Sequence, residues 1–368
     1  MDPTAGSVEK LEGDIPTLRL LPSPIPLDVA GAVAPRAVVP PAWPANDRTR
    51  ATSQGLGAWQ ALQAIYPTAR RMFTDVYSNQ LAKRVRFSAR ALLHFNVWRE
   101  WHGFLTTSPF GRVTDFYPRL HEKPFRPYLH KDLTSRQRCE VLLQHYRFMS
   151  GHATKNLVDA VLHNQPFLLN EHSLAELEEP LAINLTYAKH MQQEGELTLS
   201  LGRMESLDTF RQHAWIASLT FAVRYGRDGW EMVVGGVQGG QAETGREDAK
   251  LATGVFQGMR PKPLLMHVLR QLVACWGISR IYGIRNSSHC LTRQRYRGRI
   301  TIKSSYDELW QETGGQPTAD GYYELPAQQL RRTLESVPSR KRAQYQRRFR
   351  LLDGIDAEIR SKFTSTAV

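Results

Sequence analysis

Residues 257–290 read QGMRPKPLLMHVLRQLVACWGISRIYGIRNSSHC, and the order of their parts decides the fold. Gly258 is a helix stop, and Arg260 to Lys262 form a basic turn. The apolar run from Pro263 to Trp276 predicts a helix closed by Gly277. ISRIYGIR then reads as a buried strand, with a polar loop, Asn286 to His289, at its end. Just upstream, TGREDAKLATGVFQG predicts a further helix, because Thr244 and Glu247 have capping-box spacing.

Before that helix the period of the pattern is two. ELTLSLGRM (196–204) alternates as a half-buried strand does, and WIASLTFAVRYGRDGWEMVVGGVQGG (215–240) predicts a hairpin turning at GRDG. Glycines 235, 236, 239 and 240 imply a bulge or a close backbone approach. Three antiparallel strands, two helices and a strand make an α+β fold with an α/β-like core.

The first half reads differently. Apolar residues three and four apart run from Trp59 to Gly103, and RVTDFYPRLHEKPFRPYLHKDLT (112–134) reads as an ordered loop. SRQRCEVLLQHYRFMSG predicts a helix from Ser135 to Gly151, and TKNLVDAVLHNQPFLL (154–169) another, while 173–190 is mixed. Residues 1–55 hold nine prolines and read as a disordered tail that can dock a partner. The expected organisation is this tail at 1–55, a helical region at 56–190, the α/β core at 191–326 and a basic segment at 327–368. That last segment reads as one or two helices broken near SVPSR, and YDELW and GYYELP before it as packing elements.

At 41% hydrophobic and 23% charged residues, the composition is that of a globular protein. No apolar run of 18 residues predicts a membrane span, and no signal pattern opens the chain. Three cysteines at no ligand spacing fit a reducing compartment, so the expected location is cytoplasmic, with a peripheral inner-membrane position as the variant. Net charge is +13, and residues 331–350 set eight basic side chains against Glu335 alone, a net +7. Such a field favours an anionic partner.

Helix N-termini attract anions through unpaired N–H groups and partial positive charge. Arg246 stands at the mouth of one predicted helix and Arg260 and Lys262 at the next, so a phosphate or carboxylate site is expected there. Strand ends add Gln238, Gly239 and Asn286. Glu247 and His289 are the candidate proton acceptors; a solvated loop histidine is the plainer reading of His289. Cys290 has no partner at recognisable spacing.

Several linked motifs carry a family resemblance: EGELTLSL, GGVQG, RE-x-x-K at 246–250, GMRPKPLL, WGI, N-x-x-H at 286–289, YDELW, ADGYYELP and KRAQYQRR. In this order they resemble the VirK/YbjX family, a bacterial domain of unknown function associated with virulence and envelope homeostasis. The strand, turn, helix and strand around WGI more distantly resemble the acyl-CoA N-acyltransferase (GNAT) core. That likeness implies a mixed sheet with flanking helices, to which the tail's own pattern adds a basic C-terminal helix. It also implies a phosphate-containing donor such as CoA, an acyl carrier or a tRNA, and Tyr296 as general acid. The usual glycine-rich loop is absent, and a helix intervenes. The leading expectation is a GNAT-like transferase of an acyl or aminoacyl group to an amine or hydroxyl. The first rival is a non-enzymatic envelope factor binding anionic lipid or nucleic acid through 331–350. The second is a metal-dependent peptide-modifying enzyme using Glu247, His267 and His289; no metal is expected otherwise.

Overall fold

The sheet that the hairpin pattern predicts has eight strands in the order β1-β2-β3-β4-β5-β6-β8-β7. These are β1 (Phe167–His172), β2 (Leu181–Tyr187), β3 (Leu197–Arg203), β4 (Trp215–Gly226), β5 (Gly229–Gly239), β6 (Arg280–Ile284), β7 (Gln316–Pro317) and β8 (Tyr322–Leu325). A computed structural model describes residues 57–74, 79–173, 179–203, 215–240, 245–292 and 305–364, all within one compact unit. The proline-rich segment 1–55, Thr244 and Tyr296 lie outside the described residues.

Strands β1 to β5 form an antiparallel meander, whose β4–β5 hairpin closes at Gly226↔Gly229 as GRDG requires. Gly229 has φ +124°, a conformation that favours glycine. β5 and β6 are parallel, so they need a crossover. The predicted helix pair supplies it, as α7 (Gly245–Val255) and α8 (Pro261–Cys275). Gly258 (φ +79°) and Gly277 (φ +62°) end the two helical segments. Helix α8 is apolar nearly all round, with Leu264, Leu265, Val268, Leu269 and Leu272 fully buried. Each such leucine contributes about 1.5–3 kcal/mol by leaving water.

The helical half comprises α1 (Ala58–Met72), α2 (Gln80–Leu93), α3 (Phe95–Thr107), α4 (Val113–Phe116), α5 (Ser135–His152) and α6 (Lys155–Leu162). The expected loop at 112–134 contains α4 and a 3-10 helix, Pro118–Phe125. Helix α5 begins at Ser135, as the pattern predicts, with Thr134 as its N-cap in a capping box with Gln137. Its C-terminus passes Gly151 to His152, since nothing there demands positive φ. α5 also completes the sheet: β3 pairs with β4 only as far as Phe221. Beyond that point the N–H groups of Val223 and Tyr225 donate to His145 Nδ1 and Gln144 Oε1, both at 3.1 Å.

Three sequence readings need correction. The helix expected over 154–169 ends at Leu162, and residues 167–172 are β1, where apolar Phe-Leu-Leu suits a strand as well as a helix. GYYELP supplies β8 rather than packing alone. The basic tail is a single helix, α10 (Ser339–Thr364), and no helix forms over 327–338. α10 is held to α8 by His267 Nε2 and Asp356 Oδ1 at 2.7 Å, with Arg331 3.3 Å from the other Asp356 oxygen. The remaining helix, α9 (Tyr306–Glu312), lays Trp310 over Gly283, where a Cβ would meet the indole ring.

Burial drives three histidines of the helical half neutral. It lowers the pKa of His102 to about 4, and those of His121 and His145 to about 3. In the unfolded chain each protonates near 6.5. Their contribution to stability is therefore complete above about pH 6.5 and falls as the pH drops toward the folded values. His121 and His145 each cost about 2 kcal/mol by pH 5. The urea midpoint should fall steeply between pH 7 and 5; a flat midpoint would contradict neutral burial.

Candidate functional site

The turn joining β2 to β3 ends in Glu194-Gly195-Glu196, and the site is built on it. Glu196 N–H donates to Phe221 O (2.9 Å) and Ala188 N–H to Glu196 O (2.9 Å), so the turn is clamped to β4. A Cβ on Gly195 would overlap the Phe221 backbone, so only glycine lets the turn lie this close. The two flanking carboxylates, both buried, reach different partners.

Glu196 faces the helical half. Lys123 Nζ, from the 3-10 helix, lies 2.5 Å from Glu196 Oε1 and donates to Gly195 O at 3.1 Å. The Tyr146 hydroxyl, from α5, donates to Glu196 Oε2 at 2.7 Å. The Lys123 ammonium also sits over the rings of Tyr128 (5.1 Å) and Tyr187 (5.7 Å). Burial lowers the Lys123 pKa while Glu196 opposes that shift. Burial, and then Glu196, push all three tyrosines well above the phenol range, so they remain protonated.

Glu194 faces the crossover. The β5–β6 pairing ends at Val234↔Gly283, although β5 runs on to Gly239. Gly235 and Gly236 leave room there: a Cβ would overlap Glu194 O at the first and Glu194 Oε2 at the second. Gln238 Nε2 donates to Glu194 Oε2 at 3.3 Å. His289 Nε2 stands 3.5 Å from Glu194 Oε1, and Leu291 N–H donates to Nδ1 at 3.2 Å. In the neutral ring the proton therefore sits on Nε2, facing the carboxylate. The Tyr306 ring lies 5.6 Å from His289, and its hydroxyl oxygen is within hydrogen-bonding reach of the Val237 backbone. Burial keeps that phenol protonated. Cys290 is buried with a raised pKa, and its thiol donates to Gln193 O at 3.4 Å, so it is no nucleophile.

The structure brings together part of the expected set. Gln238 and Gly239 end β5, and the Lys262 side chain runs along Gly239 with its pKa lowered by burial. His289 is fully buried rather than a solvated loop residue, because the 123–131 segment covers it through the His130↔His289 bridge. Asn286 Oδ1 accepts from Tyr306 N (2.8 Å) and its N–H donates to Asp307 Oδ1 (2.9 Å), a clamp that fixes α9 against the end of β6. Arg260 is the N-cap residue of α8 and pairs with Glu312 at 3.3 Å. Arg246 and Glu247 stand exposed on the first turn of α7. Among the described residues no three His, Cys, Asp or Glu side chains are placed to hold a metal, so Glu247, His267 and His289 do not assemble. In the basic segment, Arg331, Arg342, Arg347 and Arg348 donate to protein acceptors, while Arg332, Arg340, Lys341 and Arg350 are exposed.

Sequence reasoning missed Lys123, Glu194, Glu196 and Tyr306. The available signal was EGE, two carboxylates around one glycine immediately before an apolar strand. No charged pair there stays solvated once the strand is central.

A family model described as "Protein of unknown function (DUF535)" matches residues 77–361, so the chain belongs to this family, that of VirK and YbjX. It is 29% identical over 286 residues to the uncharacterized protein YbjX of Escherichia coli, covering 76% of this chain and 83% of that one. An uncharacterized protein of Haemophilus influenzae is 24% identical over 83% of this chain and 95% of its own. "Membrane protein LapB" of Mannheimia haemolytica is 22% identical over 63% of this chain and 92% of its own. No solved structure matches. Among the described residues no helix is long and apolar enough to cross a membrane.

The two glycines should separate under mutation. Gly195→Ala forces backbone against backbone and should cost about 1–3 kcal/mol or more. Gly236→Ala meets the Glu194 side chain, chiefly its movable carboxylate, and should cost less. Equal losses in urea denaturation would contradict this geometry.

Proposed function

We propose that the chain is a GNAT-like transferase moving an acyl or aminoacyl group from a phosphate-containing donor to an amine or hydroxyl acceptor. The observation that carries the reading is the end of the parallel β5–β6 pairing beside the buried Glu194–His289 pair, with Lys262 at the adjoining end of β5. Ligands in such sheets bind beyond the carboxyl ends of the strands. Pro261 and Pro263 remove two N–H groups from the first turn of α8, so the Lys262 ammonium supplies most of the attraction for the donor's phosphate.

Glu194 takes the acceptor's proton as the amine or hydroxyl adds to the acyl carbonyl. The tetrahedral adduct then expels the donor's thiol or hydroxyl, which receives a proton from Tyr306 as the proton held by Glu194 is returned to the phenol. His289 acts through Glu194, as a positioning residue whose Nε2 faces the carboxylate at 3.5 Å. A polar row, Asn184, Ser200, Ser218 and Gln238, stands in register across β2 to β5; Gln238 is its part-exposed end, from which the acceptor reaches Glu194. The side-chain oxygen of buried Asn184 has no hydrogen-bond partner within the protein. A transferred group attached to CoA, a carrier protein or a tRNA fits the same scheme.

Acyl-CoA and aminoacyl-tRNA donors, offered with a panel of amines and alcohols and followed by mass spectrometry, test the reading. Glu194→Gln should lower kcat about 10²–10⁴-fold with donor affinity unchanged. Lys262→Ala should weaken donor binding with a smaller effect on kcat. Full activity of Glu194→Gln, or no transfer from any phosphate-containing donor, would overturn it.

A further inference from the structure

Among the described residues, nothing covers an apolar face of the α1–α2 pair. Trp59, Leu62 and Tyr66 are 68%, 40% and 52% exposed, and their three- and four-residue spacing puts them in one stripe of α1. The opposite stripe of that helix, Ala61, Ile65, Ala69 and Met72, is buried. On α2, Leu81, Val85 and Leu92 repeat the arrangement at 66%, 58% and 52% exposed, with Leu93 at 78%. Scattered surface leucines need no explanation, but two adjoining helices that each carry a stripe do.

Charge decides what fits this face. Residues 57–74 and 79–93 contain six arginines or lysines and no aspartate or glutamate. Arg71 pairs with Asp115 and Arg84 donates to Phe73 O, whereas Arg70, Lys83 and Arg86 are exposed. The balance stays strongly cationic even with Asp75 between the two ranges and Asp115 against Arg71. Apolar side chains with an aromatic pair and a cationic fringe are the composition of helices that lie in the interface of an anionic bilayer.

We infer that the α1–α2 face docks on the surface of an anionic phospholipid bilayer, its apolar stripe entering the acyl boundary and Lys83, Arg86 and Arg70 meeting the headgroups. This goes beyond the transferase reading and stands without it. The face is separate from the basic residues at 331–350, so the two are distinguishable by mutation.

Flotation of the full chain with vesicles of phosphatidylglycerol and phosphatidylethanolamine, against phosphatidylcholine alone, tests the inference. Binding should require the anionic lipid. Lys83→Ala with Arg86→Ala should lower partitioning about 30-fold, each cation near such a surface being worth about a factor of five. Leu81→Ser with Leu92→Ser, both exposed and harmless to the fold, should lower it too. Brominated phosphatidylglycerol should quench a tryptophan signal that Trp59→Phe removes. Four results would overturn the inference: no anionic-vesicle binding; binding lost in Arg340→Ala with Lys341→Ala but kept in the α2 variants; a Trp59 already shielded from iodide without vesicles, as a self-associated face or one covered by residues 1–56 would be; or binding indifferent to every α1–α2 substitution.

Discussion

The structure depends on one buried ion pair. Lys123 comes from a 3-10 helix in the helical half, and Glu196 from the turn entering the central strand β3. Their 2.5 Å contact, together with Tyr146, joins the two parts of the fold where neither reaches water. Burying two charges is costly, and the cost is met only when geometry and hydrogen bonds satisfy both. Here Gly195 O and the Tyr146 hydroxyl supply the extra bonds, and two phenol rings face the ammonium. Fixing Glu196 fixes Gly195, and fixing Gly195 aims Glu194 at the crossover.

The Glu-Gly-Glu turn thereby divides its two carboxylates. Glu196 is enclosed by a lysine and three tyrosines and belongs to the architecture. Glu194 faces the His289 imidazole and the Gln238 amide, with half-buried Gln238 and exposed Gly239 marking the way to solvent. Of the two, Glu194 is the carboxylate with no lysine against it, which is what the proposed base requires. The glycines of GGVQG follow from it, since any side chain at 235 or 236 would displace the turn or its carboxylate. These residues fall within the motifs by which the chain resembles its family.

The hairpin, the crossover helices and β6 were legible because their apolar periods differ and glycines mark their ends. β1 was not, because Phe167-Leu168-Leu169 is a short apolar run that suits either element, although His163-Asn164-Gln165-Pro166 before it marks the end of the helix. At the site, Gln238, Gly239, Lys262 and His289 were legible as strand-end and helix-mouth residues. Lys123 and Glu196 lie 73 residues apart, and nothing local shows that they meet. Arg246 and Glu247 had the right local pattern, but α7 turns them to solvent. Tyr306 was hidden inside YDELW, where Trp310 has the packing role over Gly283 and Tyr306 reaches back to β5.

The measurement that tests this account most directly is a double-mutant cycle on Lys123→Met and Glu196→Gln, followed by urea unfolding at pH 7.5. The account predicts a loss of about 3–5 kcal/mol for each single change, and a loss in the double variant well below their sum. Losses that add to within about 0.5 kcal/mol would show that the two charges do not act as a pair, and would remove the constraint on which the placement of Glu194 rests.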